Sequence, residues 1–567
     1  MASSKKSVPA AAAPPEKTGV AALDDIFKPY NVSDAPGLVV GIAQHGRVLY
    51  RKGFGLASIE HAVANTPATR MRIASTTKHF ACLAALLLAE EGKLDLDAPA
   101  THYLPELPTP RGVPTLRQMM THTSGVRCYV DLLLIAAGLS VHGPGHMLSL
   151  QARQSDANFA PGEGQLYSNG GYNLLSEAIA RAAGMPFEQF LKDRILTPLG
   201  MHDSAVVPSD LTIVPGMATL HMPVPPAQGS GLRRGLMMSE ESRGDGGIVS
   251  TVDDMLAWMA HLRAALKGKP SVGSSDSWRQ LVQPARLNSG LPSIYALGLI
   301  VDQYRGLDVL HHAGGAAGGA CQMITVPGHE LDIIVITNTL MAPAESLAHQ
   351  VIDCLLAGHV EGQSAKQPSA KRFKHLHGAQ YHSPRTGVRF GFEPVGEQLG
   401  IAMFNLPAGP LLIDDGDTLR MGFERVVMGP FVWRLTDLRA TPEGGAPATL
   451  SVTDGGVPDV LELLPGVPPD TAKAGRALLG RHHCADLGAT ATIAFKGEDL
   501  TLHLVGDYGV HTMTVQALSA TAFTAKPLDR TLPFGYGITL RRKGRQVTGF
   551  DLGSGRTRQL RFVRLPD

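Results

Sequence analysis

Residues 72–92 read RIASTTKHFACLAALLLAEEG, in which a serine and a lysine one turn apart lead into a strongly apolar segment. The apolar run predicts a helix over residues 80–91 that ends at Gly92. Ser75 would lie near backbone N–H groups that can stabilise an oxyanion, and Lys78 beside the apolar helix would lose solvation, which lowers its pKa. The pair therefore suits a serine nucleophile with a proton-accepting lysine.

Two β-hairpins flank this helix in the chain. Residues 37–55 (GLVVGIAQHGRVLYRKGFG) predict one hairpin with its turn at 45–46, and residues 321–339 (CQMITVPGHELDIIVITNT) predict another with its turn at 327–328. Because strands lie at both ends of this unit, we expect them to pair in one antiparallel sheet.

Helices are also predicted between the hairpins. Residues 172–183 precede Gly184, and residues 252–266 follow the cap-forming Thr251. Helices packed on the faces of an antiparallel sheet give an α+β domain, which we place at residues 24–358. The preceding residues 1–23 predict a disordered tail.

The second half of the chain contains an internal repeat. Residues 396–401 match residues 497–502 at an offset of 101, and residues 378–382 match 480–484 at an offset of 102. Short strand-like runs with frequent turns surround both copies, which favours small antiparallel barrels. We therefore predict a linker at 359–373 and two β-barrel domains, at residues 374–470 and 471–567. One continuous β-sandwich is the alternative.

Composition excludes several classes of protein. The chain has 567 residues with 51 Lys and Arg against 50 Asp and Glu, so no global charge attracts a polyanion. The longest apolar run, residues 80–89, is too short for a transmembrane helix. Five scattered cysteines without a CxxC pair, and the absence of a secretory h-region, favour a cytoplasmic protein. We expect no nucleic-acid or membrane partner.

Two local features resemble binding sites but have simpler interpretations. Residues 541–567 hold eight Arg or Lys against two Asp without aromatic stacking partners, so we predict a solvated barrel face there. His482, His483 and Cys484 are adjacent on a predicted strand and alternate between its faces, so they cannot converge on one metal ion. We expect neither a metal nor another cofactor.

Two further motifs make the Ser-x-x-Lys pair specific, because that spacing alone also occurs at Ser3 and Lys6. Tyr167-Ser168-Asn169 lies in a loop that leads into a helix (residues 160–175, APGEGQLYSNGGYNLL). His312-Ala313-Gly314 lies in a glycine-rich segment (residues 310–323, LHHAGGAAGGACQM). Each motif occurs once in the chain.

The ordered trio resembles the serine hydrolases of the penicillin-recognising group, which includes class C β-lactamases, carboxypeptidases, esterases and D-aminopeptidases. The segments TLRQMMTHTSGV (115–126) and RGDGGIVSTVDDMLAW (243–258) match as well, and the resemblance covers residues 24–356. His312 in place of the lysine of Lys-Thr-Gly, together with the two barrels, is most similar to the D-aminopeptidases of this group. The stretch ALLGRHHCADLGATATIAF (477–495) resembles the start of their last barrel.

The resemblance implies a role for each motif residue. Ser75 would be the acylated nucleophile, Lys78 its partner and Tyr167 a general base that later acts as acid. Which of Tyr167 and Lys78 takes the proton stays open, because a phenolate needs positive charge from Lys78 or from a protonated His312.

The other implied roles concern the substrate. Asn169 would orient its amide, the backbone N–H groups of Ser75 and Gly315 would form the oxyanion hole, and Gly314 would let substrate lie close to the strand.

The resemblance also implies a loop from the last domain that receives the substrate's ammonium group. The candidate is residues 505–511 (VGDYGVH), whose one carboxylate is Asp507. In the preferred register, however, the family's aspartate position falls on Thr512. The resemblance thus leaves Asp507 and Thr512 as the two candidates for the amine-binding position.

The sequence thus predicts a hydrolase that releases N-terminal D-amino acids from small peptides, amides or esters through an acyl-Ser75 intermediate. An esterase, a D-Ala-D-Ala carboxypeptidase or a weak β-lactamase would use the same residues. A penicillin-binding protein that acylates without turnover is a further alternative, and a homodimer is compatible with the sequence.

Overall fold

The computed structural model describes residues 19–224, 229–237, 239–362, 366–403, 408–416, 418–421, 433–528 and 535–566. Residues 1–18 of the predicted N-terminal tail and residues 363–365 of the predicted linker lie outside these ranges. No helix in the residues described is long and apolar enough to cross a bilayer.

The first half of the chain forms an antiparallel sheet with helices on both faces, which confirms the predicted fold class. The strands of this half of the chain, in the main sheet and in smaller ones, are β1 (Leu38–Gln44), β2 (Arg47–Phe54), β3 (Leu56–Ser58), β4 (Val63–Ala64), β5 (Met71–Arg72), β6 (Ala205–Val206), β7 (His221–Pro223), β8 (Leu232–Arg234), β9 (Ile248–Ser250), β10 (Ile300–Tyr304), β11 (Leu307–Ala316), β12 (Gly319–Val326) and β13 (Leu331–Thr337).

The main sheet has the strand order β10-β11-β12-β13-β1-β2. Both predicted hairpins are present, since β1 pairs with β2 and β12 pairs with β13. The central pair joins the two ends of the unit, with Leu38 opposite Thr337. The sheet therefore closes the domain by bringing its first and last strands together, as predicted.

The main sheet has helices on both faces, and further helices lie elsewhere in the chain. The helices are α1 (Leu23–Phe27), α2 (Lys78–Glu90), α3 (Leu116–Met120), α4 (Tyr129–Ala137), α5 (His146–Ala152), α6 (Asn169–Ala183), α7 (Phe187–Leu191), α8 (Val252–Leu266), α9 (Ser275–Leu281), α10 (Ala344–Leu355) and, before the last barrel, α11 (Thr471–Ala474). α1 and α10 pack on one face, while α2 and α8 lie in the larger core on the other.

α2 passes through the middle of that larger core. Every residue from Lys78 to Leu88 is buried, so this helix has no solvated face on which a lysine could be exposed. It packs against α6, which the Ser168 side chain caps and which ends at Gly184 in the left-handed conformation. The helix that follows Ser75 therefore carries Lys78 into the interior.

Two closed antiparallel barrels follow, each built from eight strands of the described chain. The first contains β14 (Gln380–His382), β15 (Arg389–Val395), β16 (Gln398–Met403), β17 (Gly409–Asp415), β18 (Thr418–Met421), β19 (Trp433–Thr436), β20 (Thr449–Asp454) and β21 (Val457–Leu463). The second contains β22 (Gly480–Cys484), β23 (Ala489–Lys496), β24 (Asp499–Gly506), β25 (Gly509–Ala517), β26 (Ala522–Pro527), β27 (Tyr536–Lys543), β28 (Gln546–Gly553) and β29 (Leu560–Arg564).

The repeat in the sequence corresponds to equivalent turns of the two barrels. Gly396 joins β15 to β16 and Gly497 joins β23 to β24, with φ angles of 61° and 64°. Both turns need the left-handed conformation that glycine adopts without a steric penalty. Two barrels, rather than one sandwich, account for the repeat, whereas the exact domain boundaries stay a prediction.

Candidate active site

Ser75 lies in a short 3₁₀ turn, Ala74–Thr77, that leads directly into α2. Ala74 has a φ angle of 45°, a left-handed conformation that is uncommon for a residue other than glycine. β11 approaches this turn so closely that a Cβ on Gly314 would lie 2.0 Å from the carbonyl oxygen of Ile73. The left-handed backbone at Ala74 and the close approach of β11 therefore fix the position of Ser75.

Lys78 is completely buried, and its Nζ lies within hydrogen-bond distance of three oxygen atoms. These are Ser75 Oγ at 3.0 Å, Asn169 Oδ1 at 2.8 Å and the backbone oxygen of Asp245 at 2.6 Å. Burial lowers the pKa of Lys78 to about 7, although the Asp245 carboxylate opposes this shift. A neutral amine has two N–H groups and one lone pair, so it can donate to Asn169 and Asp245 while accepting the proton of Ser75.

Tyr167 is buried beside this lysine, whose Nζ lies 4.7 Å from the centre of the phenol ring. Its hydroxyl makes no hydrogen bond of good geometry with any residue described. Burial raises the pKa of Tyr167 well above its ordinary value, and contact with the Ser75 hydroxyl only partly opposes the shift. The tyrosine is therefore a phenol in the free protein, suited to give a proton rather than to take one.

His312 lies on β11 with both ring nitrogens occupied. Nε2 is 2.9 Å from the hydroxyl of Tyr295 and Nδ1 is 2.6 Å from the backbone oxygen of Ala313. Burial holds the pKa of His312 well below its ordinary value. His312 is therefore neutral, and it does not supply the positive charge that a phenolate form of Tyr167 would need.

Asn169 and the glycines complete the group of motif residues. Asn169 is the first residue of α6, and its side-chain oxygen is used by Lys78. Gly314 is buried against the Ser75 turn, whereas Gly315 is partly exposed and pairs with Ala320 on β12. The structure thus brings together Ser75 and residues from all three motifs.

Asp507 lies apart from this group. It occupies the turn between β24 and β25 and forms an ion pair with Arg153, 2.6 Å away, while its side chain stays 59% exposed. Among the residues described, no hydrogen bond joins Asp507 to the Ser75 group. Thr512 lies further along β25, and its hydroxyl oxygen is 2.9 Å from Nδ1 of His503.

Asp245 is a buried residue of the site that the sequence did not single out. One carboxylate oxygen accepts from the hydroxyl of Tyr129 at 2.7 Å and the other from the backbone N–H of Arg243 at 2.9 Å. Burial raises the pKa of this carboxyl, while nearby Lys78 lowers it. Asp245 lies in the segment 243–258, which resembles the family in sequence. That resemblance was the signal that could have identified Asp245.

His122 is a second such residue. It has a φ angle of 59°, and its ring lies 4.1 Å from that of Tyr167 and 4.6 Å from that of Tyr295. Nδ1 accepts from the backbone N–H of Ser168 at 3.1 Å, so the proton of this neutral ring is on Nε2. His122 therefore packs against Tyr167 and fixes the motif that contains it.

Comparisons with known proteins show which proteins this chain resembles. Residues 23–354 match the family model described as Beta-lactamase. The chain is 26% identical over 555 residues to a D-aminopeptidase of Gluconobacter oxydans, covering 94% of this chain and 96% of that protein. It is also 26% identical to a D-aminopeptidase of Cereibacter sphaeroides, covering 94% and 97%. The octameric penicillin-binding protein homologue from Pyrococcus abyssi aligns with a TM-score of 0.53 at 19% identity, covering 90% and 98%.

Proposed function

This chain belongs to the β-lactamase family, and we propose that it is an acyl-serine hydrolase that releases N-terminal D-amino acids from small peptides, amides or esters. The observation that carries the proposal is the contact between Ser75 Oγ and Lys78 Nζ, a buried amine whose pKa is about 7. D-aminopeptidases that align with almost the whole chain, both barrels included, support the substrate class.

We propose a proton path for the first step. Ser75 Oγ attacks the carbonyl carbon of the substrate while its proton passes to Lys78 Nζ. The backbone N–H groups of Ser75 and Gly315 bind the resulting oxyanion. When the carbon–nitrogen bond breaks, Tyr167 gives its phenolic proton to the leaving amine and recovers a proton from Lys78. Water then hydrolyses the ester on Ser75 by the reverse path.

Recognition of the substrate involves residues on two sides of Ser75. We assign Asn169 to the substrate amide, Gly314 to the close approach of the substrate to β11, and His312 to holding that strand against Tyr295. Asp507 is the candidate that would receive the free ammonium group. Because Asp507 is paired with Arg153, an incoming ammonium group has to share or displace that guanidinium.

The substrate class is tested with D-alanyl-p-nitroanilide, its L-isomer and its N-acetylated form. We expect release of p-nitroaniline from the D-isomer, with little from the other two. Ser75→Ala should abolish it, whereas Ser3→Ala, a change in the other Ser-x-x-Lys sequence, should leave it unchanged. Equal rates for Ser75→Ala and the parent protein would exclude Ser75 as the nucleophile.

The base is tested by the pH dependence of kcat/KM. Only the neutral form of Lys78 accepts a proton, so activity should rise with pH through about 7. A tyrosine base would instead move the acidic limb far above neutral pH, since burial raises the pKa of Tyr167. Lys78→Met should remove the activity, while Lys93→Met at an exposed surface position serves as its control.

An esterase is the second candidate, because the carboxylate of Asp507 is already engaged by Arg153. An esterase would hydrolyse N-acetyl-D-alanyl esters as fast as D-alanyl esters with a free amino group. Intact mass after addition of such an ester separates both enzymes from a penicillin-binding protein without turnover. A persistent adduct on Ser75 would indicate the latter, and rapid return to the native mass a hydrolase.

A further inference from the structure

The loop between β28 and β29, residues 554–559 (SGRTRQ), inserts between the last barrel and the first domain. Arg556 is 6% exposed and Arg558 is 3% exposed, each with a carboxylate partner. The prediction of a solvated face is therefore wrong for this part of the basic segment, because these arginines are paired inside the molecule. We refer to residues 554–559 as the junction loop.

Arg556 forms a buried ion pair with Asp131 in the first turn of α4. Its Nε and terminal nitrogen donate to Oδ1 of Asp131 at 2.9 and 2.5 Å, and its backbone N–H donates to Oδ2 at 3.1 Å. The hydroxyl of Ser554 also donates to Oδ2. Donors of the junction loop therefore bind both oxygens of the Asp131 carboxylate, and these hydrogen bonds hold the beginning of α4 in place.

The junction loop also holds the main chain just before α4. The backbone N–H of Cys128 donates to the carbonyl of Arg556 at 3.4 Å, and the hydroxyl of Thr557 donates to the carbonyl of Cys128 at 3.3 Å. Residues 127–131 are thus clamped by both side-chain and backbone bonds from another domain.

The opposite side of this segment contacts the residues that hold Lys78. The carbonyl of Arg127 accepts from Ser168 Oγ at 3.4 Å, and Ser168 precedes Asn169. The hydroxyl of Tyr129 donates to Asp245, whose backbone oxygen accepts from Lys78. Two of the three contacts of Lys78 Nζ therefore lead through residues 127–129 to the junction loop.

The guanidinium charge acts in the same place. Burial is the main cause of both pKa shifts. The charge of Arg556 adds to the lowering of the pKa of Lys78 and opposes the raising of that of Tyr167, because a nearby positive charge disfavours an ammonium and favours a phenolate. The other ionisable side chains that face Lys78 are Asp245, Cys82, Cys128, His122, His312, Tyr167 and Tyr172.

We infer that Arg556 is a positioning residue of the active site, and that the last barrel is thereby a working part of the catalytic unit. Through Asp131 and the backbone at Cys128, it keeps the partners of Lys78 in place. The inference rests on the proposed Ser75–Lys78 chemistry. It does not depend on the D-amino acid as substrate.

The experiment measures the rate at which a fluorophosphonate modifies Ser75 in the full-length protein, followed by intact mass between pH 5 and 10. The Ser75 Oγ–phosphorus bond forms, the phosphorus–fluorine bond breaks, fluoride leaves and the serine proton passes to Lys78. Arg556→Met with Asp131→Leu removes both charges and leaves no unpaired buried carboxylate, so this double variant should fold. Arg556→Lys keeps one charge and some of the hydrogen bonds.

We expect the double variant to keep its Tm within a few degrees, to react at least about tenfold more slowly at pH 7, and to have its acidic limb moved to higher pH. Arg556→Lys should recover part of the rate. Arg558→Met with Asp454→Leu removes an arginine of similar burial in the same loop together with its carboxylate partner in the first barrel, and this control should leave the rate within about twofold. A parent-like rate and pH profile in the double variant would overturn the inference.

The outcome is independent of the proposed substrate. If D-alanyl-p-nitroanilide is not hydrolysed but the fluorophosphonate still discriminates the variants, the substrate class is wrong and the role of Arg556 stands. If the substrate is hydrolysed and the variants react equally fast, the proposed function stands and the role of Arg556 falls.

Discussion

The two barrels have the same strand order but contact the first domain in different ways. The first barrel has a separate core and touches the first domain through a small apolar cluster of Val457 with Phe159 and Leu166. The second barrel shares one continuous core with α4 and α5, from Tyr129 on α4 to Phe562 on β29.

The two barrels also differ in the ion pairs that they form with the first domain. Two buried ion pairs join the second barrel to the first domain, Arg127 with Asp486 and Arg556 with Asp131. The first barrel contributes a backbone contact instead, in which Gly455 accepts from the N–H of Gln165 at 2.8 Å. Equal topology therefore does not imply an equal role, since loops and core faces decide which barrel is continuous with the site.

The largest effect is expected from Asp486→Asn at the second barrel. This change leaves the fully buried guanidinium of Arg127 without its carboxylate, which costs about 3–5 kcal/mol of unfolding free energy. Asp414→Asn in the first barrel breaks the partly exposed pairs with Arg434 and Arg420 and should cost about 1 kcal/mol. Urea unfolding of both variants checks the contrast, and equal costs would remove the distinction between the barrels.

A smaller effect is expected at the contact of the first barrel. Gly455 has a φ angle of 56°, and a Cβ there would lie 2.0 Å from the carbonyl oxygen of Gln165. Gly455→Ala should therefore cost about 1–2 kcal/mol for the left-handed backbone, plus about 1–3 kcal/mol for the clash.

Gly396→Ala is the matched control, because its φ angle is 61° and its Cβ would meet no atom within 4 Å. It should show the backbone cost alone. Since Gln165 lies two residues before Tyr167, only Gly455→Ala should also lower kcat. A parent-like kcat in that variant would mean that the first barrel does not support the site.

The sequence predicted the parts of this molecule that depend on local signals. The hairpin turn at His45 and Gly46 is confirmed, and the ordered motifs named Ser75, Lys78 and Tyr167, which lie together in the structure. Short-range patterns and ordered motifs carry such information without knowledge of the tertiary contacts.

The residues that the sequence missed depend on distant partners. Asp131 and Arg556 are 425 positions apart, and a basic segment that alternates along strands has the same pattern whether its arginines face water or a buried carboxylate. Asp245 acts through its backbone oxygen on Lys78, a contact that no side-chain pattern records.

The smallest effect is expected at the turn of the second barrel, where Arg153 pairs with Asp507. Their side chains are 34% and 59% exposed, so Arg153→Ala should change the unfolding free energy by about 0.2–1 kcal/mol. Arg117→Ala breaks a pair of similar exposure with Asp97, 34% and 65%, and serves as the control.

The two variants should differ in substrate binding. Without Arg153 the carboxylate of Asp507 has no competing guanidinium, so KM for D-alanyl-p-nitroanilide should fall by a factor of about 1.5 to 5, the equivalent of that pair energy. The inhibition constant of the N-acetylated form, measured against the D-alanyl substrate, should not change in either variant, because this compound carries no ammonium group. If the two constants move together, or neither moves, Asp507 does not receive the amine, and the turn of the second barrel contributes packing but no selectivity.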